Sequence, residues 1–438
     1  MGQRNPLADQ TQKPRRFYGY YVAGTSMLIY FFTNGIMLFI PPNLFPRLME
    51  EFQATEAEVS WTSSISHLVI IPLAPLVGYL VDRFGVIRLL RTGLVLMAVC
   101  FTLYPFAQSM NQLYWLHGML AVGLILAGLL TNVILLSQWF VRKRGRAIGL
   151  LVASSSVAGF LMPSLIAPLV INPQFGWRWG FGILAGLFWL IPVILGFKVS
   201  KESPLEVGQY PDGSSQPVDE EDPQEPQGLT LAQAIRTRTL WCLAIGSGCL
   251  RFCIDAMNTQ ITIFFEREVG LLPLRATFLY SFIFGFSALG KLLFGYLSDK
   301  IPKRRVMLMT STLLFIATLT LFEPGGSDLP FHLTQSIPRL FIFAVLFGLG
   351  FGGSFTMIPV VTVESFGPRA RGKILGIITS VDSISGVLGI FIASELKTST
   401  GSYLMPFAIV AVAALIAIIN VSFIKPMWTA TQHPEPQS

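Results

Sequence analysis

GYLVDRFGVIRLL, residues 78–90, returns as GYLSDKIPKRRVM at residues 295–307. Each copy closes a long apolar run, and each sets Gly, Leu and Asp at the same spacing ahead of a cation. A shared G-Y-L-x-D-[RK] in two distant places marks an internal repeat, so the chain reads as two related halves. The Gly permits close helix approach. The Asp accepts hydrogen bonds at a helix end, and the neighbouring cations can bridge to an adjacent helix. Loops that only set topology need cations, but neither a Gly nor an Asp.

Outward from these two motifs, apolar stretches long enough to cross about 30 Å of hydrocarbon recur along the chain. They lie near 18–45, 58–81, 88–107, 112–140, 146–171 and 178–198, and again near 239–265, 274–298, 304–323, 338–362, 372–396 and 402–424. The chain is 52% hydrophobic and 13% charged, with mean hydropathy +0.61. Soluble domains carry about 25% charged residues. The expectation is an all-α membrane protein of twelve spans. A cytoplasmic tail (1–17) precedes a six-helix half (18–198), a linker (199–236), a second six-helix half (237–424) and a tail (425–438). The linker centre, QYPDGSSQPVDEEDPQEPQG (209–228), is too polar to bury a core and reads as a mobile tether.

The net charge of +7 raises the question of nucleic acid, but its distribution answers it. Of 31 Lys and Arg, 23 fall on one side of this span layout, 6 on the other, and Arg251 and Lys291 within spans. That bias places both termini in the cytoplasm and makes the basic clusters topology signals and lipid contacts. The polar N-terminus carries no expected cleavable signal. Cys100, Cys242, Cys249 and Cys253 sit in apolar runs without C-x-x-C spacing, so neither a metal nor a redox centre is expected. GLGFGGSF (348–355) lacks the strand before and the lysine after that a phosphate loop needs. No nucleotide-driven step and no cofactor is expected, and no catalytic constellation appears.

The most informative stretch is GCLRFCIDAMNTQ (248–260). Arg251 lies about 18 Å along its helix, near mid-bilayer, where an ion costs at least about 2.5–3.5 kcal/mol. Asp255, Asn258 and Thr262 follow on the same face. Such a stripe lines a wet cavity or a helix interface. Two readings stand: an Arg–Asp brace, or an anion grip in which Arg251 binds a carboxylate and Asp255 exchanges a proton. A guanidinium matches a carboxylate with two parallel hydrogen bonds. Lys291 and Asp382 lie at similar depths and form a second possible pair, with an interfacial Lys as the alternative. His67 has a side chain suited to proton transfer, against a purely structural role; His117 reads as structural.

The repeated motif resembles the G-x-L-x-D-[RK]-x-G-[RK] signature of the major facilitator superfamily. Gly78, Leu80, Asp82, Arg83 and Gly85 match the first copy. Gly295, Leu297, Asp299 and Lys300 match the second, which departs at Pro302. The resemblance implies that Gly78, Asp82, Arg83, Gly295, Asp299 and Lys300 serve a gate between halves. NLFPRLMEEFQATEAEVSW (43–61), SQWFVRKRGRAIGL (137–150) and ESPLEVGQYPDG (202–213) resemble bacterial monocarboxylate and oxalate/formate-type carriers. The fifth span lacks the G-x-x-x-G-P-x-x-G-G of drug-efflux relatives. In such carriers the first and fourth spans border the pathway, which makes Asn34 and Asn132 candidate cavity groups. A cation also stands where Lys291 does, although usually as Arg with an Asp four residues earlier; here Ser287 takes that place. The expectation is therefore a monomeric inner-membrane carrier of a small organic anion, a monocarboxylate, moving with a proton. Substrate contacts fall to Arg251, Asn258, Lys291, Asn34 and Asn132, and proton coupling to Asp255, Asp382 and His67. The alternative is efflux of an amphipathic or cationic compound. A transport-dead receptor would need an output domain larger than the linker or tail.

Overall fold

The computed structural model describes residues 17–171, 176–214, 228–325, 330–367 and 369–425. The surroundings of Gly78 and Asp82 fall outside the described part, so those two gate positions receive no structural account. The long helices are α1 (Gly19–Phe52), α2 (Glu56–Phe84), α3 (Val86–Phe106), α4 (Met110–Trp139), α5 (Arg144–Ile171) and α6 (Gly176–Lys198). After the linker come α7 (Arg238–Glu268), α8 (Pro273–Ser298), α9 (Lys303–Leu319), α10 (Ile337–Phe366), α11 (Arg371–Thr400) and α12 (Leu404–Ser422). Ten helices among the described residues are long and apolar enough to cross a membrane; α2 and α9 are outside that set, α9 having only 17 residues.

Local chemistry sets the ends. Thr55 and Glu58 form a reciprocal capping box at the start of α2, the Glu58 carboxylate accepting from the Thr55 N–H at 2.7 Å. Thr237 caps α7, Pro273 opens α8, and Gly401 closes α11 with φ 70°. A short antiparallel hairpin, β1 (Phe322–Pro324) with β2 (Phe331–Leu333), occupies the end of the expected ninth span. The run fails there as helix because Glu323 and Pro324 interrupt it.

Three helices contain a π-turn: α1 at Gly35–Phe39, α6 at Trp189–Val193 and α7 at Phe264–Glu268. Helix α1 also runs on to Phe52, beyond the expected boundary at 45. Helix α4 breaks at Gly128, where φ is −87° and ψ −144°. At the break the carbonyls of Ala127 and Gly128 accept from Asn132 Nδ2 at 2.8 and 2.7 Å, and that of Gly128 also accepts the Asn132 backbone N–H at 3.3 Å.

Glycines decide how tightly α8 and α10 meet. A Cβ on Gly352 would lie 1.9 Å from the Ser287 carbonyl oxygen, and one on Gly290 2.4 Å from that of Leu349. The glycine run in α10 is thus a packing surface. Gly352→Ala forces the backbones apart, an overpacking penalty of roughly 1–3 kcal/mol. A melting temperature lower by several degrees than that of the parent in the same detergent is expected; an unchanged one would contradict this contact. By contrast, a Cβ on Gly295 would meet only Thr356 Cγ2 at 3.8 Å. The close approach expected at the motif glycine occurs instead earlier in α8, at Gly290.

Of the cations in the repeated stretch, Lys303 of α9 pairs with Glu364 of α10 at 3.6 Å, whereas Arg83 and Lys300 contact residues of their own helices. Arg83 Nη1 donates to the Tyr79 hydroxyl at 3.1 Å, and Lys300 lies over the Tyr296 ring at 4.8 Å. Asp299 is exposed at the end of α8. Part of the linker is docked, contrary to the tether expectation. The Asp212 carboxylate accepts the backbone N–H groups of Val141 and Arg142 at 3.0 and 2.7 Å, and Trp139 Nε1 donates to the Lys201 carbonyl at 2.9 Å. Residues 215–227 of that linker lie outside the described ones.

Candidate substrate site

A cavity of about 200 Å³ lies between α1, α2, α5, α7, α8 and α10. It collects most of the ionisable groups singled out from sequence. Arg251, Asp255 and Asn258 reach it from α7, His67 from α2, Lys291 from α8 and Asn34 from α1. Asp382 and Asn132 do not line it. Asn132 is fully buried at the Gly128 break, its amide N–H groups consumed by the helix it mends.

Arg251 Nε donates to Asp255 Oδ2 at 2.7 Å, the contact anticipated from their four-residue spacing. Asp255 is nearly enclosed, with its side chain 8% exposed, whereas that of Arg251 is 30% exposed. Space for the carboxylate comes from α11: a Cβ on Gly386 would fall 2.2 Å from Asp255 Oδ2. Nothing in the local pattern singles out Gly386, because its role depends on how α11 meets α7.

His67 completes the cluster. Its Nδ1 lies 2.9 Å from the Ser63 carbonyl, which only an N–H can satisfy, so in the neutral ring Nε2 carries the lone pair. That lone pair accepts from Arg251 Nη2 at 3.3 Å. Asp255 Oδ2 lies 3.7 Å from the same nitrogen. Arg251 therefore stands between an acceptor imidazole and a carboxylate, while Nη1 has no hydrogen-bond acceptor among the described residues.

Lys291 and Asp382 do not pair. Lys291 Nζ sits 5.1 Å from the centroid of the Phe355 ring, and no carboxylate among the described residues comes within ion-pair distance. Asp382 accepts from Ser247 Oγ at 2.7 Å, one turn before Arg251 on α7. Asn34 lines the cavity while donating to the Tyr30 carbonyl at 3.2 Å. Asn258 Oδ1 is buried without a partner among the described residues; Thr262 Oγ1 is too, but away from the cavity, so the polar stripe leaves the cavity before its last member. Sequence reasoning missed a buried chain beside the site, in which His117 lies 3.3 Å from Ser66 Oγ and 3.1 Å from the Tyr104 hydroxyl. This places His117 in a satisfied network, as its structural reading requires.

Contacts linking helices α1–α6 to α7–α12 are unevenly placed. Arg47 pairs with Glu266 at 2.6 Å, Arg267 with Glu50 at 3.0 Å, and the Tyr403 hydroxyl donates to Glu56 at 2.8 Å. Gln260 Nε2 donates to Ser60 Oγ at 2.9 Å. With Arg251–His67 added, every such polar link among the described residues lies at mid-depth or toward the Arg47 end. Among the described residues, none joins the two groups at the end carrying the basic segments.

Comparison with known proteins gives the architecture a lineage. The family model described as Major Facilitator Superfamily matches residues 23–334 and again 287–437. Monocarboxylate transporter 12 of Rattus norvegicus is 25% identical over 85% of this chain and 79% of its own length. Monocarboxylate transporter 2 of Meriones unguiculatus is 25% identical over 92% and 83%. The uncharacterized MFS-type transporter YcxA of Bacillus subtilis is 24% identical over 89% and 90%. A crystal structure of a bacterial homolog of the human lysosomal transporter Spinster, inward-facing and occupied, superposes with TM-score 0.68 at 16% identity, covering 94% of this chain and 95% of that one. At that identity the likeness concerns the fold alone. Apolar helices, a central charged cavity and two overlapping family matches lead to one conclusion: this chain is a multi-pass membrane transporter, not an enzyme, and it belongs to the Major Facilitator Superfamily.

Proposed function

We propose that this chain carries a small organic monocarboxylate across the plasma membrane by alternating access, together with a proton. The observation that carries the reading is the Arg251 guanidinium, held at one edge by Asp255, partly exposed and lining the cavity. The monocarboxylate transporters among the relatives support the solute class. In the same proposal α2 and α9 also cross the membrane, giving twelve spans in two groups of six. Both termini face the cytoplasm, as the excess of cations on that side requires. The Arg47 end is then the outer face, sealed by its ion pairs, and the cavity belongs to an inward-facing state. A single chain contains the whole site, so a monomer suffices.

Coupling follows from competition for Asp255. While His67 is neutral, Asp255 holds Arg251. A proton on His67 Nε2 turns that nitrogen from acceptor to donor, facing Asp255 Oδ2 only 3.7 Å away. Asp255 then has a second cation to neutralise, the hydrogen bond from Arg251 to His67 is lost, and the guanidinium turns to an incoming carboxylate. Lys291 adds positive charge along the path. Asp382, behind α7, stays a reserve carboxylate one turn from the cluster.

The test is uptake in proteoliposomes under an imposed proton gradient. Asp255→Asn keeps the size of the side chain but removes its charge, so net uptake should lose most of its pH dependence while exchange of carboxylate for carboxylate persists. A full pH response in Asp255→Asn would take the coupling away from the competition of His67 and Arg251 for Asp255, and absence of carboxylate uptake by the parent protein would end the reading.

A further inference from the structure

The Arg251 end of the cavity addresses a carboxylate; the opposite wall addresses what that carboxylate is attached to. Resting on the anion reading above, we infer that the solute is a monocarboxylate bearing an aromatic ring. Its carboxylate meets Arg251 and its ring packs against Phe39, Phe284, Phe351 and Phe355.

The cavity is divided by chemistry. Helices α2 and α7 bring Ser63, Ser66, His67, Arg251 and Asp255 to one side. Helices α8 and α10 bring rings. Phe351 and Phe355 are one turn apart on α10, and Phe284 lies two turns before Lys291 on α8, so each pair shares a helix face. The π-turn of α1 presents Met37, Leu38 and Phe39 in succession to the same cavity. Phe39 and Phe284 have ring centroids 4.5 Å apart, and Phe284 meets Phe351 edge-on at 5.9 Å and 80°. A planar solute ring extends such a row with the offset and edge-on contacts that aromatic groups favour.

Volume and charge narrow the class. An apolar cavity of about 150 Å³ holds benzene. The 200 Å³ available here accommodates a ring of that size with a short acid group. A two- or three-carbon acid leaves the phenylalanine wall facing trapped water, which forfeits the apolar burial that wall provides. Arg251 and Lys291 against Asp255 leave one positive charge while His67 is neutral, and a proton on His67 adds a second, so the cluster attracts an anion in either state. Lys291 already rests on the Phe355 ring, and a second ring close by gives it another aromatic face.

The experiment compares acetate, phenylacetate and neutral phenylacetamide as ligands of the purified full-length protein, by calorimetric titration and thermal shift. Phenylacetate should bind at least about tenfold tighter than acetate, the increment that burying a ring supplies. Phenylacetamide should bind at least about tenfold more weakly than phenylacetate, having lost the charge-assisted bonds. Phe284→Leu should erase the advantage of phenylacetate and leave acetate affinity within about twofold, since the anion end is untouched. Equal affinity for acetate and phenylacetate, both lost in Arg251→Ala, would overturn the ring inference and leave the carboxylate reading standing. Equal binding of phenylacetate and phenylacetamide would overturn the carboxylate reading and the inference with it. Equal weakening of both acids in Phe284→Leu would also overturn the ring site. The ligand series on the parent protein decides the matter even where that variant fails to fold.

Discussion

Arg251→Ala is expected to reduce carboxylate uptake at least about a hundredfold while the protein still reaches the membrane. Two charge-assisted hydrogen bonds to a carboxylate, each worth about 1.5–3 kcal/mol, account for a loss of that size. Truncation also leaves Asp255 buried without its cation, which by itself destabilises the bundle. Arg251→Ala combined with Asp255→Ala separates the two effects. The double variant removes both charges, so its melting temperature should recover toward that of the parent while uptake stays lost. Initial rates in proteoliposomes, normalised to inserted protein, provide the readout. Recovery of transport in the double variant would make the pair a brace and take the anion anchor away from Arg251.

The second large effect concerns the Arg47 end. The side chains of Arg47 and Glu266 are 17% and 9% exposed, so their ion pair is mostly shielded from water. Removing one partner of such a pair leaves a stranded charge at a cost of about 3 kcal/mol or more. Because the pair joins the two helix groups only when that end is shut, Arg47→Ala should move the balance toward the open arrangement by roughly a hundredfold. The flanking Arg267–Glu50 and Tyr403–Glu56 contacts resist, so the shift is bounded by what they retain. Distances between spin labels at the ends of α1 and α7 that carry Arg47 and Glu266 report it directly. The exchanged pair, Arg47→Glu with Glu266→Arg, should restore the parent distance distribution. An unchanged distribution in Arg47→Ala would show that this pair does not hold the closure.

Much of this was legible in sequence because membrane helices announce themselves by length and apolarity, and a charge in such a run demands a partner nearby. Arg251 and Asp255 are four residues apart, and that partnership is local. The pairing of Arg251 with His67 spans 184 positions and depends on how α2 meets α7, which no local pattern encodes. Lys291 and Asp382 illustrate the opposite error. Their matching depths invited a pair, but depth does not fix the direction a side chain takes around a helix, and each found another neighbour. Asn132 stood as a cavity group because the fourth span borders the pathway in the carriers this chain resembles; the break at Gly128, which it repairs, left no distinct signature beyond one glycine. The docking of residues 199–214 was hidden because their composition is that of a loop, whereas their anchors, such as Asp212 on the Val141 and Arg142 amides, lie far away in the chain.

The π-turns bear on how the closed end yields. One lies in α1 at Gly35–Phe39, below Arg47; the other, Phe264–Glu268, contains Glu266 itself. A wider turn has weaker axial hydrogen bonding and bends more readily than regular α-helix. Strain applied at the salt-bridged tips is therefore absorbed at two pliant joints before it reaches the bundle. In the alternating-access cycle proposed above, the lips then swing apart ahead of the body, so that unsealing and the larger tilt become separate events with separate rates.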